Sequence, residues 1–174
     1  LTLLAGMLTL FLKDWIQDPR PPAELALEGT RPDSYGLPSG HTLMAIVFWG
    51  SLAFESGKRW MLVLAAVMVV GIASSRLYFA VHDIEDILGG ALVGSLLLGG
   101  LMVKQLRYPN CRDGWLPSAL LIAVPIGLIL GWPDGRSDGK MMMVSGFFIS
   151  WIIGGKVELR AIEFLNPSGW KRIV

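Results

Sequence analysis

Of the 174 residues, 53% are hydrophobic and only 17% charged, against about 25% charged in a soluble domain, and the mean hydropathy is +0.55. Such apolar content excludes disorder, the lack of a Gly-X-Y period excludes collagen, and the single cysteine, Cys111, excludes a disulfide scaffold. A net charge of +1 gives no reason to expect a nucleic-acid surface, which leaves one greasy soluble domain or an integral membrane protein.

Uncharged runs decide between these. In chain order they are Leu1–Leu12, Leu37–Phe54, Trp60–Ser75, Ile87–Val103, Gly114–Pro133 and Met141–Gly155. Several reach the length at which an apolar run is read as a membrane-spanning helix. The third extends through Leu77–Val81 if Arg76 faces the protein interior. The expected fold is all-α, a polytopic transmembrane bundle of about six helices forming one domain over residues 1–174. The chain starts at Leu1 inside an apolar run without a basic flank, so the first span is expected to be truncated and upstream spans to be missing.

Alternation across the bilayer puts Glu55–Arg59, Lys104–Asp113 and Lys156–Val174 on one side, with nine of the fifteen basic residues. The other side, Lys13–Gly36, Arg76–Asp86 and Asp134–Lys140, holds six basic and ten of the fourteen acidic residues. By the positive-inside rule the first set is cytoplasmic. Trp15, Trp60, Trp115 and Trp132 fall near span ends, as an aromatic belt requires.

Three polar clusters meet on the non-cytoplasmic side: Lys13 and Arg20 after the first span, Pro38-Ser39-Gly40-His41 opening the second, and Ser75-Arg76 with His82 and Asp86 between the third and fourth. Each has a plain structural reading. Lys13 and Arg76 serve as snorkelling interface anchors, Ser39 as a helix cap, Asp86 as a helix N-terminal acid, and His82–Asp86 as a local i, i+4 pair. The combination says more. Lys13, Arg20 and Arg76 form a cationic cluster suited to phosphate, with Arg supplying a bidentate fork and Lys a point charge. Ser39 and Gly40 at a helix start add a hydroxyl and free N–H groups. Of the two histidines, one can attack phosphorus and the other can protonate the leaving oxygen. Asp86, one turn from His82, would fix its tautomer. No Cys/His or multi-carboxylate group has metal-ligand spacing, so the expectation is no metal and no cofactor, with the cations acting in a metal's place.

Lys13-x6-Arg20-Pro21, Pro38-Ser39-Gly40-His41 and Ser75-Arg76-x5-His82-x3-Asp86 resemble the three-part signature of the type 2 phosphatidic acid phosphatases, the membrane lipid phosphate phosphatases. The resemblance lies in residues 13–86 of a core spanning 13–104; two further spans occupy 114–155. It implies that His82 is the nucleophile that forms a phosphohistidine, oriented by Asp86. His41 would protonate the leaving group and then activate water, while Lys13, Arg20, Arg76, Ser39 and Gly40 bind the phosphoryl oxygens. It further implies an active site facing away from the cytoplasm, in the plasma membrane or, in a prokaryote, the inner membrane. The implied function is metal-independent hydrolysis of a lipid phosphate or diphosphate monoester, with membrane lipid and bilayer as partners.

This chain departs from the usual pattern in having only one span before the first motif and two after Lys104. The trailing helices, and Tyr35-Gly36-Leu37 before the second motif, resemble the sphingosine-phosphate and dolichyl-diphosphate branches. The alternatives are an inactive transporter or scaffold of the same fold and a vanadium-dependent haloperoxidase. Gly90 and Gly94 make a small-xxx-small pair for helix packing within the chain or, alternatively, in a homo-oligomer. Pro22–Leu37 is either a lid or a solvated loop, and Asp83 and Glu85 are read as solvated loop acids.

Overall fold

The structure, a computed structural model, describes residues 1–27, 34–107, 115–132 and 139–165, with the side chains of 115–121, 140 and 156–165 left aside. Every regular element among the described residues is helical: α1 (Thr2–Ile16), α2 (Gly40–Ser56), α3 (Arg59–Tyr78), α4 (Ile84–Arg107), α5 (Trp115–Leu130) and α6 (Gly139–Leu165), with a 3-10 turn at Ala23–Leu25. α3 and α4 are long and apolar enough to cross a membrane, and Met141–Gly155 of α6 is a shorter apolar helix. Large apolar side chains on α3 and α4 point outward, with Val67, Leu92 and Leu96 each more than 60% exposed. That inside-out surface suits a hydrocarbon solvent.

Helix α2 is the hub, packing against α1, α3 and α4. Its contact with α4 is close because glycines face it. A Cβ on Gly90 would lie 2.5 Å from the Ser39 carbonyl oxygen, and one on Gly94 would lie 3.0 Å from that of Leu43. The small-xxx-small pair therefore serves packing inside the chain. Leu43 and Val47 of α2 meet Ala5 of α1, flanked by Val93 and Leu97 of α4. At the far end Ala53 packs on Met61 and Ala65 of α3. α5 and α6 dock on the other flank of α1, where Met7, Trp132, Met141 and Phe148 form a separate core.

Helix ends differ from the uncharged runs for identifiable reasons. α1 continues through Lys13 to Ile16, ended by Gln17 in the left-handed region (φ 55), whose N–H donates to the Lys13 carbonyl at 2.9 Å. Lys13 is thus in the last turn of a helix instead of the loop after it. α2 begins at Gly40, with Ser39 as extended N-cap (ψ 108) whose carbonyl accepts from Leu43 N–H at 3.0 Å. α3 includes Arg76 but stops at Tyr78, before Ala80 at φ 50. α6 runs on to Leu165, beyond the predicted limit at Gly155. The loop expected between Pro22 and Leu37 is described only at its ends, residues 28–33 lying outside the described residues. Leu27 N–H ties its near end to the Phe79 carbonyl at 3.1 Å.

Candidate active site

Four segments converge at one end of the bundle: the last turn of α1, the loop to α2 with its first turn, the end of α3, and the α3–α4 connection. The turn at Ala80 aims His82 inward, where it is 4% exposed, and Asp86 in the first turn of α4 is fully buried. His82 Nδ1 lies 2.7 Å from Asp86 Oδ2. A carboxylate can only accept, so Nδ1 carries the proton and Nε2 presents its lone pair. Nε2 lies 3.5 Å from Arg20 Nη1. Arg20 is aimed by the loop around it, its Nε donating to the Ser34 carbonyl at 2.6 Å. Its Nη1 donates to the Val81 carbonyl at 2.8 Å, and its Nη2 to Ser34 Oγ at 3.0 Å. Burial, followed by the positive charges of Arg20 and Lys13, pushes the His82 imidazolium down to about 3, so the ring is neutral across the physiological range.

Lys13 is 6% exposed. Its ammonium donates to the Tyr35 carbonyl and, at 3.0 Å, to the Gly36 carbonyl, leaving its third N–H for another acceptor. Arg76 is half-buried, its Nε bonded to Ser75 Oγ at 3.2 Å and its guanidinium stacked 5.6 Å from the Phe79 ring centroid. Lys13, Arg20, Gly40, His41, Arg76 and His82 all line one cavity of about 1070 Å³. From that polar end the cavity runs down between α1, α2 and α3 past Leu10, Met44, Phe48 and Ile72 to Leu3.

Ser39 stands apart from this group. It is fully buried, caps α2 through its backbone, and its Oγ accepts from Thr42 Oγ1 at 3.1 Å. Its N–H donates to the Asp86 carbonyl at 2.8 Å, which clamps the second motif to the third. Asp83, read as a solvated loop acid, is exposed in the loop before α4 and also caps that helix: its Oδ1 accepts from Asp86 N–H at 2.9 Å. Folding also gathers carboxylate oxygens of Asp18, Asp83 and Asp86 within 4.8 Å of one another, a grouping that linear spacing hides.

Sequence reasoning missed the structural role of Gly36. Its carbonyl holds Lys13, and its N–H donates to the Asp18 carbonyl at 2.8 Å. The Asp86 carboxylate lies directly over it, so a Cβ there would sit 2.7 Å from Oδ2 and 2.8 Å from Oδ1. The only hint in the sequence is a glycine two residues before Pro38. Nothing in its chemistry points to a carboxylate fifty positions away.

A neutral imidazole backed by a carboxylate, facing a guanidinium inside a cation-lined pocket, is arranged to hold and attack a phosphoryl group. The fold and the pocket define the class as an all-helical bundle with outward apolar faces and a pocket lined by cations and two histidines. Residues 1–109 match the family model of the PAP2 superfamily, and the chain belongs to that superfamily. It is 32% identical over 150 residues to human sphingosine-1-phosphate phosphatase 2, covering 77% of this chain and 37% of that protein. It is 33% identical over 101 residues to phosphatidylglycerophosphatase B of Bacillus subtilis, covering 52% and 48%. The chain thus spans less than half the length of these curated relatives. Among solved structures it is similar to the transmembrane PAP2 type phosphatidylglycerolphosphate phosphatase from Bacillus subtilis, with a TM-score of 0.50 at 29% identity, covering 61% of this chain and 59% of that one.

Proposed function

We propose that the protein hydrolyses the phosphate ester of a membrane lipid, without a metal ion, through a phosphohistidine at His82. The observation that carries this reading is the His82–Asp86 pair with Nε2 turned toward the Arg20 guanidinium. The His82 Nε2 lone pair attacks phosphorus, and the bond from phosphorus to the lipid oxygen breaks. His41 gives that oxygen its proton, releasing the lipid alcohol. Neutral His41 then takes a proton from water, whose oxygen attacks phosphorus. The phosphorus–nitrogen bond breaks, inorganic phosphate leaves, and both histidines return to their starting states. Lys13, Arg20 and Arg76 hold the phosphoryl oxygens as charge shifts, with the Gly40 N–H at the start of α2 beside them.

The apolar length of the cavity supports a lipid over a soluble ester. From Lys13 to Leu3 the pocket follows ten residues of α1, about 15 Å at the helical rise, room for a hydrocarbon tail below the phosphate. The names of the relatives favour the same substrate class. α1 to α6 are read as six passes through the bilayer, with the site facing away from the cytoplasm, in keeping with the excess of Lys and Arg on the opposite loops. The test is phosphate release in detergent from phosphatidate, phosphatidylglycerol phosphate, undecaprenyl diphosphate and a sphingoid-base phosphate, with His82→Ala as the blank. The expected result is release from at least one lipid by the wild type and none by the variant. Release undiminished in His82→Ala refutes the mechanism.

A further inference from the structure

Part of the cavity wall is supplied from outside residues 1–109, which match the family model. Trp132, just past the end of α5, and Val144 of α6 both line it. Trp132 is 4% exposed and packs with Met7 and Met141. Its ring meets Phe11 edge to face at 5.8 Å and 75°, and Phe11 in turn stacks on Trp15 at 5.7 Å. The indole is thereby held on one side by an aromatic pair, on the other by the α6 core, and cannot swing aside without breaking both. Phe11 lies two residues before Lys13 on α1, about 3 Å along the axis. For a lipid whose phosphate is held at Lys13, Trp132 would stand near the depth where the phosphate joins the hydrocarbon part, the level at which a second chain would diverge from the first.

We propose that Trp132 is a specificity-determining residue that closes the pocket to a second chain, so that the site takes single-chain lipid phosphates in preference to two-chain ones. The inference rests on the phosphatase reading above. It also explains what the trailing helices contribute. α5 and α6 carry the indole to the flank of α1, and Met44, Phe48 and Ile72 on the opposite wall complete one apolar channel.

The experiment compares kcat/KM for a single-chain alkyl phosphate and a two-chain phosphatidate of matched chain length. Trp132→Ala is expected to lower the single-chain to two-chain ratio about tenfold, the scale of discrimination by shape in an apolar pocket. Trp132→Phe, which keeps an aromatic ring in the core, is expected to shift the ratio the same way by less. An unchanged ratio in both variants, or an equal fall on both substrates, overturns the proposal. If the wild type releases phosphate from neither lipid, the role of Trp132 is read from binding, and the phosphatase reading falls only if none of the four lipids above is hydrolysed either. Binding of the two corresponding phosphonates then decides the role of Trp132, where the same change of ratio upholds it and a constant ratio overturns it.

Discussion

An imidazole attacks only while neutral, and two features of the site keep His82 so: its burial and the guanidinium 3.5 Å from Nε2. With the imidazolium pushed down to about 3, against about 6.5 for an ordinary histidine, the acid limb that His82 contributes to the pH profile of kcat/KM lies far on the acid side. Removing a neighbouring positive charge favours the protonated ring, so Arg20→Ala is expected to move that limb to higher pH as well as raise KM. A limb that stays put or moves to lower pH contradicts the assigned electrostatics. Gly36→Ala puts a methyl group into the Asp86 carboxylate and tilts it from His82. The expected loss is about a hundredfold in kcat, the cost of a misplacement near 1 Å, with KM changed less. A variant with normal kcat shows that Asp86 tolerates the shift. Asp86 Oδ2 is engaged by His82 and Asp83 Oδ1 by the cap of α4, while Asp86 Oδ1 has no hydrogen-bond partner; on the metal-free reading EDTA is expected to leave kcat/KM within about twofold, and a large loss would assign a metal to the Asp18, Asp83 and Asp86 group. At this scale the groups that meet in the pocket were legible, because an Arg, a His or an Asp beside an apolar span has few uses. Gly36 and the capping role of Asp83 were not, because they depend on which backbone passes over which carboxylate.

Between elements, the site depends on the seam of α2 and α4. Ser39 N–H on the Asp86 carbonyl links the start of one helix to the first turn of the other, and Gly90 lets them meet there. Its neighbour is backbone and cannot turn away, so Gly90→Ala is expected to cost about 1–3 kcal/mol by overpacking, read as a lower Tm in detergent, with activity falling alongside. An unchanged Tm contradicts the packing described. Helix positions were readable because an apolar run must be helical in a bilayer. Helix ends were not, because a run ends at its first charge while a helix ends where its backbone turns. Lys13 lies inside α1 with its ammonium on the Tyr35 and Gly36 carbonyls, and Ser39 lies outside α2 because its own backbone is extended. The docking of α5 and α6 on α1 left no trace in the pattern, since apolar faces look alike until paired.

Over the described residues, outward apolar faces on α3 and α4 and an inward cationic pocket suit a protein set in lipid, with the candidate site at one end of the bundle. The proposed orientation is checked with a membrane-impermeant thiol reagent. Pro22→Cys in a Cys111→Ser background is expected to be labelled in intact cells, and the native Cys111 only after permeabilisation; the reverse pattern inverts the topology. The central claim is a covalent bond between His82 and phosphorus. Its most direct measurement is rapid quenching of the purified protein with lipid substrate labelled in its phosphate, using His41→Ala to slow the release step. The expected product is an acid-labile, alkali-stable phosphoprotein whose label maps to His82 and vanishes in His82→Ala. Steady phosphate release with label on another residue, or undiminished label in His82→Ala, would contradict the claim.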